Sequence, residues 1–319
     1  MTARIPPSDR RRFFKQAAAC GLLTLVPGVA VASANKLFLR VKVALPDGGG
    51  RPEPISFGLV ADTHSGDFDD TDRPRYFRSS LGNLEETVQL FNQRNLNFAV
   101  HLGDVIQESH NRVTSIAWLS EMDEVFKEFA GPIHYVAGNH DFGDLSKSDF
   151  LAATSGTFKA HHYFFDRAGY RFIVLDANHR QDGVAYDRGN FTWTDTFIPQ
   201  AQLIWLEKTL AQAAAANRPA IVFVHQTLDE TSENHMIKNA AEVRSLFESQ
   251  GNVTAVFYGH RHAGGYFNIN GIHYVGLVAT VNGPDKAAGI VKIPGNGTIE
   301  IEGIGERQPD WGPFAATGV

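Results

Sequence analysis

Cysteine is nearly absent from this sequence. Cys20 is the only one in 319 residues, and it lies in an amino-terminal segment that we expect to be removed. A mature protein without this residue has no disulfide bonds and no thiolate chemistry. Because disulfides are optional in an oxidising compartment, their absence does not decide where the protein works.

Positive charge is also scarce. The chain has 29 basic and 35 acidic residues, which gives a net charge of −6. The first 34 residues hold five of the basic residues and one of the acidic ones, so the remainder carries −10. Proteins that coat DNA or RNA need basic stripes, and this balance argues against such a surface. A small anionic substrate is compatible with it, because a bound metal ion can invert the local field.

A long apolar run is missing as well. The most apolar stretch, 17–31, is interrupted by Gly21, Pro27 and Gly28, and it is shorter than the roughly 20 residues that a membrane-spanning helix needs. The stretch therefore favours a cleaved signal over its main alternative, a membrane anchor. Lipid attachment at Cys20 is a second alternative, but almost no apolar run precedes that cysteine.

The flanks of this stretch have the composition of a secretory signal. Arg10-Arg11-Arg12-Phe13-Phe14-Lys15 precedes it and Ala32-Ser33-Ala34 follows it, which gives a basic region, an apolar core and a small-residue cleavage site. The arginine pair resembles a twin-arginine export signal. We therefore predict a signal peptide over 1–34, the twin-arginine export machinery as a partner, and a periplasmic or extracellular location.

The rest of the chain alternates apolar runs, polar loops and amphipathic helical patterns. We predict a lead-in strand and linker over 35–54, the main domain over 55–305, and a carboxyl-terminal tail over 306–319. Five short apolar runs in the domain are each followed by polar groups that can bind a metal: 55–61, 98–102, 132–136, 220–224 and 253–258. This alternation predicts a layered α/β fold, in which strand carboxyl ends meet at one edge and bind a ligand.

The polar groups after these runs form a candidate metal site. They are Asp62, His64, Asp104, Asn139, His140, His225, His260 and His262. Each alone is typical of a polar turn or a hydrogen-bonded structural residue, but together they indicate one pocket. Imidazole and carboxylate ligands suit zinc, iron or manganese, and two such ions can clamp a phosphoryl group. Asp141, next to His140, is a candidate for orienting it.

The order of these motifs resembles that of the calcineurin-like metallophosphoesterases. Asp-x-His, Gly-Asp, Gly-Asn-His-Asp, His and Gly-His-x-His follow one another between 55 and 303. The resemblance implies a metallophosphoesterase-type α/β sandwich with two divalent or trivalent ions, Mn, Fe or Zn, of which Mn is favoured. It also implies one metal on Asp62, His64, Asp104 and His262, and the other on Asp104, Asn139, His225 and His260. His140 would contact the scissile phosphate and protonate the leaving oxygen, with Asp141 orienting it.

Finer features resemble one branch, the manganese-dependent ADP-ribose/CDP-alcohol diphosphatases. They are Arg75-Tyr76-Phe77-Arg78 and the segments 170–176 and 259–266. The chain departs from that branch in carrying His64 where glutamine is common and Gln107 where an acidic residue is common.

We therefore predict an exported hydrolase with two metal ions that cleaves phosphodiester or phosphoanhydride bonds of small phosphorylated molecules, nucleoside diphosphate conjugates being candidate substrates. In-line attack by a metal-bound hydroxide is the expected reaction. The alternatives are a metal-dependent phosphomonoesterase and a binding module of the same fold without catalysis.

Two further sets of residues have open interpretations. Arg73, Arg75 and Arg78 have two interpretations, contact with phosphate and a position at a solvated helix start. Tyr186, Phe191 and Trp193 also have two, stacking on a base and packing of the loop against the domain.

Overall fold

A computed structural model describes residues 52–70, 73–229 and 232–315. The predicted signal peptide, Cys20 and most of the predicted lead-in strand and linker lie outside these ranges. Within them, no helix is both long and apolar enough to cross a membrane.

Twelve strands of the described residues form two six-stranded sheets. The first sheet has the order β12-β11-β10-β1-β2-β3, and the second has the order β4-β5-β6-β7-β9-β8. Strands of the first sheet are β1 (Ile55–Val60), β2 (Phe98–His101), β3 (Ile133–Tyr135), β10 (Ala288–Ile293), β11 (Thr298–Ile304) and β12 (Trp311–Ala315). Strands of the second are β4 (Tyr163–Arg167), β5 (Tyr170–Val174), β6 (Ala220–Phe223), β7 (Val253–Tyr258), β8 (Ala263–Ile269) and β9 (Ile272–Val278).

The two sheets pack face to face through an aromatic core. Phe57 of β1 stacks on Phe98 of β2 with ring centroids 4.7 Å apart, and it meets Phe172, Phe223 and Phe257 of the second sheet edge-on at 5.6 to 5.9 Å. All five rings are fully buried. Offset and edge-on aromatic pairs stabilise a core by about 0.5–1.5 kcal/mol each beyond their buried area. This core fixes the two sheets relative to each other.

Helices cover the outer faces of both sheets. They are α1 (Ser80–Gln93), α2 (Arg112–Phe126), α3 (Lys147–Ala153), α4 (Gln200–Ala215) and α5 (Ala240–Gln250). Helices α1 to α3 bury their apolar side chains in one cluster with strands of the first sheet, and α4 and α5 do so with the second. Gly58 lets α1 lie close to β1, because a Cβ there would overlap the Phe91 ring. The predicted layered α/β fold is confirmed.

Strand direction explains where the polar loops meet. β1, β2 and β3 are mutually parallel, and so are β5, β6, β7 and β9. The loops that follow β1, β2, β3, β6 and β7 therefore leave the two sheets at a common edge, where side chains distant in sequence can converge.

One segment differs from its expected place. Part of the predicted tail forms β12, which pairs with β11 at the edge of the first sheet, so the domain continues past 305.

The loop 178–199 connects β5 to α4, and Tyr186 and Ile198 within it are fully buried. Of the two interpretations of Tyr186, packing of the loop against the domain is therefore the correct one. Its hydroxyl donates to the carbonyl oxygens of Thr192 and Asp195.

Candidate metal centre

The loops after β1, β2, β6 and β7 bring six predicted metal ligands together. Three overlapping groups have one ligand atom from each residue within 4.8 Å of the others: Asp62, His64 and His262; His64, Asp104 and His140; and Asp104, His225 and His260. Every predicted ligand except Asn139 occurs in these groups, and Asn139 lines the same cavity. The sequence thus identified side chains that do share one site.

Asp104 lies at the centre of the cluster. Its Oδ2 atom is 3.5 Å from Nε2 of His64 and 3.1 Å from Nε2 of His225, while its Oδ1 atom accepts a hydrogen bond from the backbone N–H of His140 at 2.8 Å. Asp104 therefore takes part in two of the three groups of atoms that could hold a metal ion.

Asp62 completes the cluster on the side of the second sheet. Its Oδ1 atom lies 3.8 Å from Nε2 of His262, 3.9 Å from Nε2 of His64 and 4.0 Å from Nε2 of His225. Its carboxylate also accepts the backbone N–H of His260 at 3.0 Å. These separations leave room between the side-chain atoms for bound ions.

Several of these ligand atoms are buried without a hydrogen-bond partner among the described residues. They are Nε2 of His64, His225 and His260, together with Oδ1 and Nδ2 of Asn139. A buried polar atom that makes no hydrogen bond costs about 1–3 kcal/mol, and one such atom on each of four converging side chains is unusual. Nitrogen and oxygen atoms of this kind fit a transition-metal ion. The residues therefore suit the implied metal.

Hydrogen bonds at Nδ1 orient three of the ligand imidazoles toward the centre. Nδ1 of His225 donates to the carbonyl oxygen of Leu102 at 2.8 Å, which leaves Nε2 facing Asp104. Nδ1 of His64 lies 3.0 Å from Oε1 of Gln107. Nδ1 of His262 lies 3.0 Å from Oδ1 of Asn282. Partners of this type fix the tautomer and the ring orientation of a metal-binding histidine.

The backbone at the site is held in an unfavourable conformation. Asp62, His64, Asp104 and His260 have φ values of 51°, 45°, 51° and 60°, in the left-handed region that side chains with a Cβ seldom adopt. Glycines allow the loops to approach one another here. A Cβ at Gly138 would overlap Asp104, and one at Gly259 would lie 2.6 Å from Oδ2 of Asp62. Strain of this kind persists where surrounding structure enforces it and is common at functional sites.

Burial and charge set the protonation of the cluster. Burial lowers the pKa of His64 and His260 well below the ordinary value and that of His262 to about 4, which leaves them in the neutral form that binds metals. Burial would raise the pKa of Asp104, but His225 and His140 hold it well below its usual range. Burial is also the main reason that the pKa of Asp62 is raised to about 7.

A correction concerns the residue that orients His140. Nδ1 of His140 lies 2.6 Å from Oε2 of Glu108, so the orienting carboxylate is Glu108 and not Asp141. Burial alone would lower the pKa of His140, but the charges of Asp104 and Glu108 raise it above the ordinary value. Glu108 was missed because nothing in a polar loop sequence shows which ring its carboxylate will reach.

Asp141 instead holds two loops together through hydrogen bonds to their backbone. Its carboxylate accepts four backbone N–H groups, from Gly138 at 2.8 Å, Asp104 at 3.1 Å, Val105 at 2.8 Å and Ile106 at 3.3 Å. These bonds tie the loop after β2 to the loop after β3. The residue therefore fixes the position of the Asp104 backbone.

A cavity of about 660 Å³ opens over the cluster. Among the residues with an open interpretation, Arg73, Arg75 and Trp193 line it, whereas Arg78 is paired with Asp67 and Asp69. Phe191 packs against the His140 ring at 5.4 Å between centroids.

Two polar residues that line the cavity, His235 and Asn282, were not predicted. His235 follows no apolar run, so its place beside His260, with ring centroids 5.4 Å apart, could not be inferred from periodicity. Asn282 occurred only as part of a turn signal, Asn282-Gly283-Pro284.

Comparison with known proteins identifies the group to which this site belongs. The family model described as calcineurin-like phosphoesterase matches residues 55–264. A manganese-dependent ADP-ribose/CDP-alcohol diphosphatase from Arabidopsis thaliana is 26% identical over 279 residues, covering 74% of this chain and 90% of that protein. The Homo sapiens protein of the same name is 24% identical over 294 residues, covering 73% and 85%. The predicted resemblance to this branch is confirmed.

Solved structures show the same fold. A dimetal phosphatase from Danio rerio superposes with a TM-score of 0.72 at 21% identity, covering 83% of this chain and 99% of that one. A purple acid phosphatase from yellow lupin seeds superposes with a TM-score of 0.55 at 14% identity, covering 85% and 55%. Together with the clustered ligands, the family match leads to one conclusion: the chain belongs to the calcineurin-like phosphoesterase family and is a metal-dependent phosphoester hydrolase.

Proposed function

We propose that this chain is an exported hydrolase that uses two metal ions to cleave phosphodiester or phosphoanhydride bonds, with nucleoside diphosphate conjugates as its substrates. The observation that carries the proposal is the position of Asp104. Its two oxygens lie between two groups of converging ligands and beside the backbone of His140. A carboxylate shared by two ligand sets, with a proton donor beside it, would suit metal-assisted phosphoryl transfer.

The ligands divide into two sets that share Asp104. Asp62, His64, Asp104 and His262 would hold one ion, and Asp104, Asn139, His225 and His260 would hold the other. The grouping of ligand atoms within 4.8 Å supports this division. These residues would hold ions that, when bound, would activate a water molecule and neutralise charge on the phosphoryl oxygens.

His140 is placed to hold and move a proton. Its Nδ1 atom is occupied by Glu108, so Nε2 is the atom available to the leaving oxygen of a substrate in the cavity. Because the neighbouring carboxylates raise the pKa of His140, the ring keeps its proton more readily than a free histidine does. General-acid catalysis of this kind contributes about 10²–10⁴-fold to a rate.

The substrate class rests on the relatives and on the lining of the cavity. The curated relatives are named for ADP-ribose and CDP-alcohols, both nucleoside diphosphate conjugates. The exposed Trp193, with 42% of its surface accessible, offers a ring on which a base can stack, and Arg73 and Arg75 offer positive charge.

A panel of substrates and metals tests this proposal. Purified protein is assayed on CDP-choline, ADP-ribose, bis-p-nitrophenyl phosphate and p-nitrophenyl phosphate with Mn²⁺, Fe²⁺, Zn²⁺ and Mg²⁺. We expect the highest kcat/KM on the diphosphate conjugates with Mn²⁺, and a severe loss in His140→Ala. Release of phosphate from the monoester alone would indicate the phosphomonoesterase instead. No turnover of any substrate by protein with bound metal would indicate the binding module.

Export rests on the sequence 1–34 and has its own test. Fusing these residues to a reporter that functions only after export should place the reporter outside the cytoplasm. Replacing Arg10 and Arg11 with lysine should block that transport if the twin-arginine route is used. Reporter activity that is indifferent to the arginine pair would exclude this route.

A further inference from the structure

Among the residues that the structure describes, two arginines on the wall of the cavity have no acidic partner. Among the described residues, no carboxylate lies within 4.0 Å of Arg73 or Arg75. Arg78, three positions further on, instead pairs with Asp67 at 3.1 Å and with Asp69 at 3.2 Å. A guanidinium group that faces a cavity without a partner is available to an anionic ligand.

The surrounding loop holds these arginines in place. Besides its ion pairs, Arg78 donates through its backbone N–H to Asp69 and through Nη2 to the carbonyl oxygen of Asp67, at 3.3 and 2.7 Å. The backbone N–H of Tyr76 donates to Val281 at 2.8 Å, next to the cavity-lining Asn282. Arg78 thus stabilises the loop through these hydrogen bonds, while Arg73 and Arg75 line the cavity.

The charge of Arg75 acts on one part of the metal centre. It contributes, after burial, to the lowered pKa of His64 and His262, and it opposes the raised pKa of His140. The aromatic wall lies beside His260 instead, where the rings of Trp193 and His235 come within 6.1 and 5.4 Å of the His260 ring. The cavity therefore has a cationic part near His64 and His262 and an aromatic part near His260.

We propose that Arg73 and Arg75 bind the phosphate of a diphosphate substrate that is not attacked, and so make the enzyme selective for diphosphates over single-phosphate diesters. This inference rests on the proposed function. A substrate with one phosphate places that group at the metal centre and leaves both guanidinium groups unpaired. A second phosphate, joined to the first through one oxygen, extends toward them and accepts charge-assisted hydrogen bonds. Arg75, the less exposed of the two, makes the larger contribution.

Two substrates with the same kind of base but different numbers of phosphates test the effect of the second phosphate on kcat/KM. CDP-choline has two phosphates, whereas the p-nitrophenyl ester of thymidine 5′-monophosphate has one. For Arg75→Gln we expect kcat/KM on CDP-choline to fall about 10- to 100-fold, the loss of one to two charge-assisted hydrogen bonds. On the thymidine ester it should change less than about threefold. Arg75→Lys keeps the charge but not the forked geometry and should recover part of the loss.

Arg167→Gln is the matched control. Arg167 ends β4, lies outside the cavity lining and also has no carboxylate within 4.0 Å among the described residues. Its removal should leave the ratio of the two kcat/KM values unchanged. Equal losses on both substrates in Arg75→Gln, with an unchanged melting temperature, would overturn the inference, because Arg75 would then serve the attacked phosphate. If the wild type hydrolyses neither substrate, the proposed function itself fails.

Discussion

Oε2 of Glu108 lies 2.6 Å from Nδ1 of His140, and both side chains are about one-fifth exposed at the edge of the metal centre. Glu108 belongs to none of the three groups of metal-competent side chains, but it contacts the ring of His140, which lines the cavity. A carboxylate at this distance fixes the tautomer of the imidazole and stabilises its protonated form. Glu108 is therefore a positioning residue for proton transfer.

The role of Glu108 predicts a dependence on the leaving group. In Glu108→Gln we expect kcat to fall about 10- to 100-fold on a phosphodiester whose leaving group is an alkoxide, which needs a proton. The fall should be much smaller for p-nitrophenol, which leaves without one. Kinetics on matched diesters measure this difference, and Glu108→Asp should recover part of the rate. An equal loss for both leaving groups would show that Glu108 acts only on structure.

Asp141 should affect metal binding and stability more than proton transfer. Asp141→Asn replaces an acceptor oxygen of a carboxylate that accepts four backbone N–H bonds, so the side chain can no longer accept all of them in the same geometry. We expect a loss of about 2–3 kcal/mol in the free energy of unfolding, since a buried N–H left without an acceptor costs about 1–3 kcal/mol. Metal affinity should also fall. Chemical denaturation and metal titration measure the two effects, and a variant as stable as wild type would contradict the assignment.

Metal removal should lower thermal stability. The buried ligand atoms of His64, His225, His260 and Asn139 have no partner of their own among the described residues, so bound ions satisfy them in the folded state only. At a free Mn²⁺ concentration 100 times the dissociation constant, each ion stabilises the fold by about 2.7 kcal/mol. Differential scanning calorimetry with EDTA and then with added Mn²⁺ measures the shift. A melting temperature that does not respond to either would contradict metal binding at this cluster.

The Lys147–Asp176 ion pair predicts a pH-dependent stability. Burial would raise the pKa of Asp176, but Lys147 and His161 hold it well below its usual range. A folded-state pKa below the unfolded value of about 3.9 adds stability above that pH, and the stability is lost as the pH falls through the folded value. Lys147→Met should therefore cost about 2–4 kcal/mol at pH 7 and clearly less at pH 3.5, where Asp176 of the variant is protonated.

Urea unfolding at the two pH values measures this cost. Lys127→Met, which removes an exposed partner of Glu124, is the control and should change little at either pH. A cost for Lys147→Met that is the same at pH 7 and pH 3.5 would show that packing of the lysine chain, and not its charge, is responsible.

The sequence revealed the strands and the side chains that follow them, because both depend on local pattern. Apolar runs of strand length are followed by Asp62, Asp104 and His225. Parallel strands bring these side chains to one edge of the sheets, and this does not depend on the conformation of the loops. The roles of Glu108 and His235 could not be predicted, since their contacts depend on how the loops fold over the metal centre. The strand Trp311–Ala315 could not be predicted either, because pairing at a sheet edge is decided by the partner strand.

The stoichiometry of Mn²⁺ needed for hydrolysis tests the central claim most directly. Metal-free protein is titrated with Mn²⁺ while bound metal per chain and the initial rate of CDP-choline hydrolysis are followed together. Two ligand sets that share Asp104 predict a rate that rises to its maximum as the second ion binds, and an Asp104→Asn variant that stays nearly inactive at any occupancy. A maximal rate at one ion per chain, or binding of two ions without hydrolysis of any phosphoester, would contradict the account.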